Sequence, residues 1–231
     1  MGVGSMDFEE RSFSGKLFRP RPEISRSDNG YLLAIITPWG AREHSKEAIS
    51  LIHEYVSASF EDQDVTSPFE KLTCFSPLGN SMRIAVLLCN DLFYRSINEK
   101  ELQSGLELFV GGYANQEFFW VQVGNPQLIL LRPGRGAIPL ASQMDLSFEM
   151  SQAQQPLPPL PSRLLGVSQH VNLNIGSIRP QPGDRLLLLS RSDLPPSLFA
   201  TDLDHRGLAE ITQLIARDNP DIPFWIGIIT L

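Results

Sequence analysis

The sequence predicts an α+β fold built on large antiparallel sheets, and three observations carry that expectation. Runs of aromatic and β-branched residues are separated by Gly, Pro and Asn clusters, the mark of strands joined by turns. The helical patterns come in blocks instead of following each strand in turn, which disfavours a parallel β-α-β sheet. With 231 residues, 42% of them hydrophobic and 19% charged, the chain has enough apolar material for a substantial core.

The elements follow in order. Residues 1–5 read as a cloning remnant before a start at Met6, leaving one domain over 6–231. Residues 6–30 are polar, and Arg19-Pro20-Arg21-Pro22-Glu23 forbids a helix and favours an extended edge or loop. The apolar run at 31–36 is a strand, Thr37-Pro38-Trp39-Gly40-Ala41 a tight turn, and 44–59 a helix with Ala48, Leu51, Ile52, Tyr55 and Val56 on one face. After a loop over 60–80, Met82, Ala85, Val86, Cys89 and Phe93 mark a helix over 81–97. Strands are expected at 106–113, 117–123, 127–132 and 137–140, with Gly124-Asn125-Pro126 and Pro133-Gly134-Arg135-Gly136 as the turns of an antiparallel meander. The stretch 152–163, glutamine-rich and then Pro156-Leu157-Pro158-Pro159-Leu160-Pro161-Ser162-Arg163, reads as an exposed polyproline-like loop. It matches a Pro-x-x-Pro-x-Arg ligand of proline-reading domains; a stiff surface connector is the plainer alternative. Strands at 171–178, 185–190 and 224–231 and a helix at 203–217 complete the chain.

The totals exclude several functions. A formal net charge of −7 argues against a partner held by phosphate neutralisation along a nucleic acid. No apolar run approaches the ~18 residues of a membrane span, and no signal peptide is legible. Cys74 and Cys89 form no Cys-x-x-Cys or metal-ligand pair, consistent with reduced thiols in a cytoplasmic protein. There is no Gly-x-Ser-x-Gly elbow and no phosphate-cradling Gly-x-x-x-x-Gly-Lys loop. His44, His53, His170 and His205 show no metal-ligand spacing; His44, at a helix start, is expected to be solvated. The strand ends carry Thr37, Asn125 and Arg191, where a hard-metal site would need carboxylates.

The order of elements, with four local stretches, resembles the metal-dependent type 2C serine/threonine protein phosphatases over roughly residues 15–231. Residues 119–134 match an apolar strand, a Gly-Asp-Ser-Arg turn and a return strand, with Asn125, Pro126 and Gln127 after the retained Gly124. Pro182-Gly183-Asp184 and the apolar strand behind it match a segment that ends in a metal-binding Asp-Gly; here that pair is Arg191-Ser192. Thr37-Pro38-Trp39-Gly40-Ala41 stands where the family has Asp-Gly-x-Gly-Gly. Arg19 matches a phosphate-binding arginine and Glu23 the first residue of a Glu-Asp pair whose second is Ile24, while Asp221 fits the terminal Asp by its distance from the C-terminus.

The resemblance implies an α-β-β-α sandwich, two antiparallel sheets flanked by helices, whose metal site is degenerate. Glu23 and Asp221 would survive, while Ile24, Thr37, Pro38, Asn125 and Arg191 mark lost or altered positions. Two divalent cations, each wanting about six oxygens, are not held by such a set, so no cofactor is expected. Arg191 stays charged at working pH. It would either fork between Glu23 and Asp221 or point to solvent. Arg19, Trp39 and Arg191 are candidate anion-binding groups, although an aromatic at a strand end also serves simply as packing. The expected function is an inactive phosphatase-like domain that binds a protein, such as a kinase or a phosphoprotein. The alternative is a divergent Mn- or Mg-dependent phosphatase whose metals use Asp28, Asp193, Asp202 or Asp218. Nothing specific supports a small-molecule binder.

Overall fold

The computed structural model describes residues 4–61, 67–150 and 157–231; residues 151–156, the glutamine-rich start of the expected proline loop and Pro156, lie outside them. Ten strands are present, β1 (Asp7–Phe13), β2 (Glu23–Arg26), β3 (Leu32–Gly40), β4 (Ser104–Ala114), β5 (Glu117–Val123), β6 (Gln127–Arg132), β7 (Gly136–Ala141), β8 (Asn174–Ile178), β9 (Arg185–Leu189) and β10 (Phe224–Thr230). The helices are α1 (Glu43–Glu61), α2 (Pro77–Leu92), α3 (Leu146–Met150), α4 (Pro196–Ala200) and α5 (Leu208–Asp218), with a π-helical turn at Phe93–Ile97 directly after α2. The strands form two five-stranded sheets in which every pairing is antiparallel, so the α+β class holds. The chain divides into two compact units, each containing one sheet.

The first unit contains Pro22–Val123 and Arg163–Arg179, with strand order β2-β3-β4-β5-β8. Helices α1 and α2 pack on each other and on this sheet. Ala48, Ile52 and Val56 of α1 join Met82, Ala85, Val86 and Cys89 of α2 in one core with Leu32, Ile36, Leu108, Val110, Phe119 and Val121. Helix α2 starts four residues before the expected 81. Ser76 caps it by accepting from the Gly79 N–H at 3.2 Å, and Pro77, which has no N–H to lose, opens its first turn. A Cβ at Gly79 would lie 2.5 Å from the Phe119 ring, so the glycine lets this helix end approach β5 closely.

The second unit contains Met6–Arg21, Gly124–Ser162 and Pro180–Leu231, with strand order β1-β10-β9-β6-β7. Helix α5 lays Leu208, Ile211 and Ile215 against Leu187 and Leu189 of β9 and Phe224, Ile226 and Ile228 of β10. It begins five residues later than expected because Gly207 starts it, with Glu210 accepting the Gly207 N–H at 3.1 Å.

Two sequence expectations change. Residues 117–123 and 127–132 form strands with the expected limits, yet they are not a hairpin. Strand β5 pairs with β4 and β8, whereas β6 pairs with β7 and β9, so Gly124-Asn125-Pro126 passes the chain from one sheet to the other. The supposed turn at Thr37–Gly40 is strand: β3 stays in register with β4 from Leu32 opposite Gly112 to Gly40 opposite Ser104. The polar N-terminal stretch, expected as an extended edge or loop, supplies the edge strand of each sheet. Asp7–Phe13 pairs along its whole length with β10, and Glu23–Arg26 pairs with β3.

Candidate functional site

In the first unit, the residues singled out by sequence sit on β2 and β3. Thr37 and Pro38 are buried on β3, opposite Glu107 and Leu106 of β4. The next residue, Trp39, is half-buried, and its indole N–H donates to Glu107 Oε2 at 3.1 Å. Glu107 is only 1% exposed, so it is a buried acid with a neutral donor aimed at it. Sequence reading passed over Glu107 because it interrupts an otherwise apolar strand without any motif around it. Glu23 accepts Arg42 Nε on its Oε1. Ile24 is half-buried on β2, opposite Ile35 of β3.

His44, expected to be solvated, is half-buried with its ring edge-on to Phe93 at 5.8 Å. Burial depresses the pKa of His53 on α1 below the ordinary imidazole value, with nearby Asp28 pulling weakly the other way. Burial, with Glu47 adding to it, raises the Cys89 thiol well above a normal cysteine, which leaves it inert packing.

In the second unit the sequence-singled residues are better gathered. Arg191 follows β9 and is 3% exposed. Its Nε donates to Asp193 Oδ1 at 2.8 Å and its Nη2 to Asp193 Oδ2, a two-pronged pair. Nη1 reaches the Ile215 carbonyl at 3.4 Å, and the guanidinium lies 5.8 Å from the centre of the Phe224 ring. Both prongs of Arg191 are thus taken by Asp193, and Arg191 does not face solvent. Asp221 instead pairs with Lys16 at 2.9 Å and is 40% exposed on its side chain.

Asn125 is 2% exposed and belongs to an amide network. Its Nδ2 donates to Ser192 Oγ at 3.4 Å, and Gln127 Nε2 donates to Asn125 Oδ1 at 3.4 Å. Gln127 in turn donates to the Gln143 carbonyl at 2.7 Å and accepts the Gln143 N–H at 3.0 Å. Two uncharged amides thus stand where the resemblance implies a polar turn bearing a carboxylate.

Arg19, Asp145, Ser147, Arg191, Ser192 and Asp193 line one concavity in this unit, beside Leu17, Leu157 and Pro159. The sequence reading did not single out Asp145. It caps α3: its Oδ1 accepts the Ser147 N–H at 2.9 Å, the Ser147 hydroxyl at 2.6 Å and the Leu160 N–H at 2.8 Å. The Asp-x-Ser spelling at 145–147 was the available signal. Of the candidate anion-binding groups, Arg19 and Arg191 share this concavity, and Trp39 belongs to the first unit.

Among the described residues, no three His, Cys, Asp or Glu side chains come together as a group that could hold a metal ion. Of the alternative ligands, Asp193 is committed to Arg191, Asp218 accepts the Ser197 hydroxyl at 2.6 Å, Asp202 accepts the Asp204 N–H at 2.9 Å, and Asp28 is exposed beyond β2.

No protein-family model matches the chain, and no curated protein matches it in sequence. Solved structures do match. One is PppA, a regulatory component of the T6SS in Pseudomonas aeruginosa, at 14% identity over 98% of each chain with a TM-score of 0.65. The PPM Ser-Thr phosphatase MsPP from Mycobacterium smegmatis matches at 18% identity over 100% of each chain with a TM-score of 0.63. The Mycobacterium tuberculosis serine/threonine phosphatase PstP/Ppp matches at 19% identity over 98% of each chain with a TM-score of 0.61. At these identities the likeness establishes the fold: the chain has the α+β fold of the PPM, or type 2C, phosphatases. Among the described residues, no helix is long and apolar enough to cross a membrane.

Proposed function

We propose that this chain is a catalytically inactive type 2C phosphatase-like domain of the cytoplasm that acts by binding a protein, a kinase or a phosphoprotein in particular, and that it carries no cofactor. One observation bears most of the weight. Where the resemblance calls for a metal-binding carboxylate after β9, Arg191 is buried and clamped on both prongs by Asp193. A fixed guanidinium repels a cation, and it also occupies the nearest carboxylate that could have served as a replacement ligand. Thr37 and Asn125 point the same way, since both are buried and neither can supply a negative charge.

The concavity in the second unit suits a polypeptide. Two guanidiniums, two carboxylates and two hydroxyls stand beside Leu17, Leu157 and Pro159, so the surface offers mixed polar contacts next to apolar area. A bare phosphate, by contrast, would want cations without competing carboxylates. The fold-mate PppA is described as a regulatory component, which is compatible with a role through partners.

The test has two arms. The purified chain is assayed for hydrolysis of an aryl phosphate with Mn or Mg, and its binding to a phosphoserine peptide and its unphosphorylated twin is measured in parallel. No turnover with saturable peptide binding is the expected result. Metal-dependent turnover that is lost in Asp221→Asn would overturn the reading and establish the divergent phosphatase instead.

A further inference from the structure

We infer that residues 157–163 form a presented ligand for a proline-reading domain of the SH3 type, an aromatic-lined groove with an acidic pocket. This deepens the protein-binding half of the reading above and does not depend on whether the chain hydrolyses phosphate. The sequence Leu157-Pro158-Pro159-Leu160-Pro161-Ser162-Arg163 holds two apolar-Pro dipeptides three residues apart, with a cation two residues beyond the second. A polyproline helix has three residues per turn, so such spacing puts both dipeptides along one side and positions 159 and 162 along the remaining edge. Grooves of this type take the dipeptides in aromatic slots and leave that remaining edge outside.

The structure fixes the segment in place while leaving most of it exposed. Pro159 is half-buried and borders the concavity with Arg19, and Ser162 Oγ donates to the Met144 carbonyl at 2.8 Å. These are the two positions a groove does not need. Leu157, although it borders the same concavity, stays 41% exposed, Leu160 is 48% exposed, and Pro158 and Arg163 are exposed as well, whereas Pro161 is half-buried. The Leu160 N–H donates to Asp145, the Leu146 N–H donates to the Leu160 carbonyl at 2.9 Å, and Pro161 forms an isolated antiparallel bridge with Asp145. A connector with no partner has no need of that anchoring. A ligand gains from it, because an extended segment already fixed in place loses less freedom on binding. Arg163 supplies the charge that chooses the direction in which the segment lies in the groove.

The experiment titrates the intact chain into a 15N-labelled SH3 domain that accepts Pro-x-x-Pro-x-Arg peptides, alongside a synthetic peptide covering 157–165. We expect saturable shifts in the aromatic-groove resonances with the intact chain. Arg163→Glu and the double variant Pro158→Ala/Pro161→Ala should each weaken binding at least about tenfold, the loss typical of an anchor residue. Arg163 is exposed, so that variant tests recognition even if the proline pair perturbs the fold. No saturable binding by the intact chain, whether or not the peptide binds, overturns the inference, as does binding that Arg163→Glu leaves unchanged. An aryl-phosphate assay on the same preparation reports on the inactive-phosphatase reading separately.

Discussion

Replacing Asp193 with alanine should be among the most damaging single changes in the second unit. Its carboxylate holds two nitrogens of Arg191, whose side chain is 2% exposed, while Asp193 itself is 20% exposed. Without it, the guanidinium keeps, among the described residues, the long contact to the Ile215 carbonyl at 3.4 Å and the face of Phe224. Removing one member of a buried pair costs about 3–5 kcal/mol, because the survivor is a charge in a poorly solvated place. The partial exposure of Asp193 lets some water in, so the lower end of that range, about 3 kcal/mol, is expected. The double variant Arg191→Met/Asp193→Ala removes both charges and keeps an apolar side chain against Phe224. It should cost no more than about 1 kcal/mol, leaving a coupling of about 2 kcal/mol or more. Urea unfolding followed by circular dichroism, with midpoints compared at constant slope, gives all four corners of the cycle. A cost below about 0.5 kcal/mol for Asp193→Ala, or a double variant as unstable as the single, would refute the buried-pair argument.

Other outcomes follow from the same geometry. Trp39→Phe keeps the ring and removes the indole donor from the buried Glu107 carboxylate, and should lower stability by about 1.5–3 kcal/mol in urea unfolding, the range for a hydrogen bond to a charged group. The pH dependence of stability should carry a signature of Asp184. Burial pushes its pKa up, but the Arg132 hydrogen bonds, the Gln181 N–H and the Arg132 charge outweigh that and hold it below the ordinary value. A depressed carboxylate stabilises the fold above its unfolded pKa of about 3.9, and that contribution fades as pH falls below it. The gap in stability between the native chain and Asp184→Asn should therefore be constant above about pH 5 and narrow below about pH 4, as acid titration of the unfolding midpoint would show. Iodoacetamide should label Cys74, which is exposed, and spare buried Cys89 until the chain is unfolded, as intact mass measurement would show.

How far the sequence could be read depended on what kind of information each element carries. Strands β5 and β6 were legible to the residue because period and composition are local properties. Their partners were not, since Gly124-Asn125-Pro126 between two apolar runs has the spelling of a hairpin, and only tertiary packing sends the two strands to different sheets. Strand β1 was hidden because five of its seven residues are exposed, so it has no apolar alternation; it is a strand because β10 offers it an edge. The turn read into Thr37–Gly40 came from Pro38, a residue usually kept out of central strands, yet it is accommodated opposite Leu106 near the end of the β3–β4 ladder.

At the site, Arg191 was legible as the decisive residue and its partner was not. The carboxylates Glu23 and Asp221 pair with other cations, Arg42 and Lys16. Asp193, two residues from Arg191, needs almost no loop closure to meet it, which is why the local pair wins. Asp145 and Glu107 escaped notice because a cap and a lone buried acid carry no long-range sequence pattern.

The central claim is that a protein side chain, Arg191, occupies the charge position that the fold's resemblance assigns to metal-binding groups. Calorimetric titration of the chain with manganese chloride, paired with its melting temperature in manganese and in chelator, tests this most directly. A ligand that binds only the native state must raise its stability. No saturable heat and the same melting temperature in both conditions are expected. A stoichiometric binding isotherm with a rise in melting temperature that chelator reverses would contradict it.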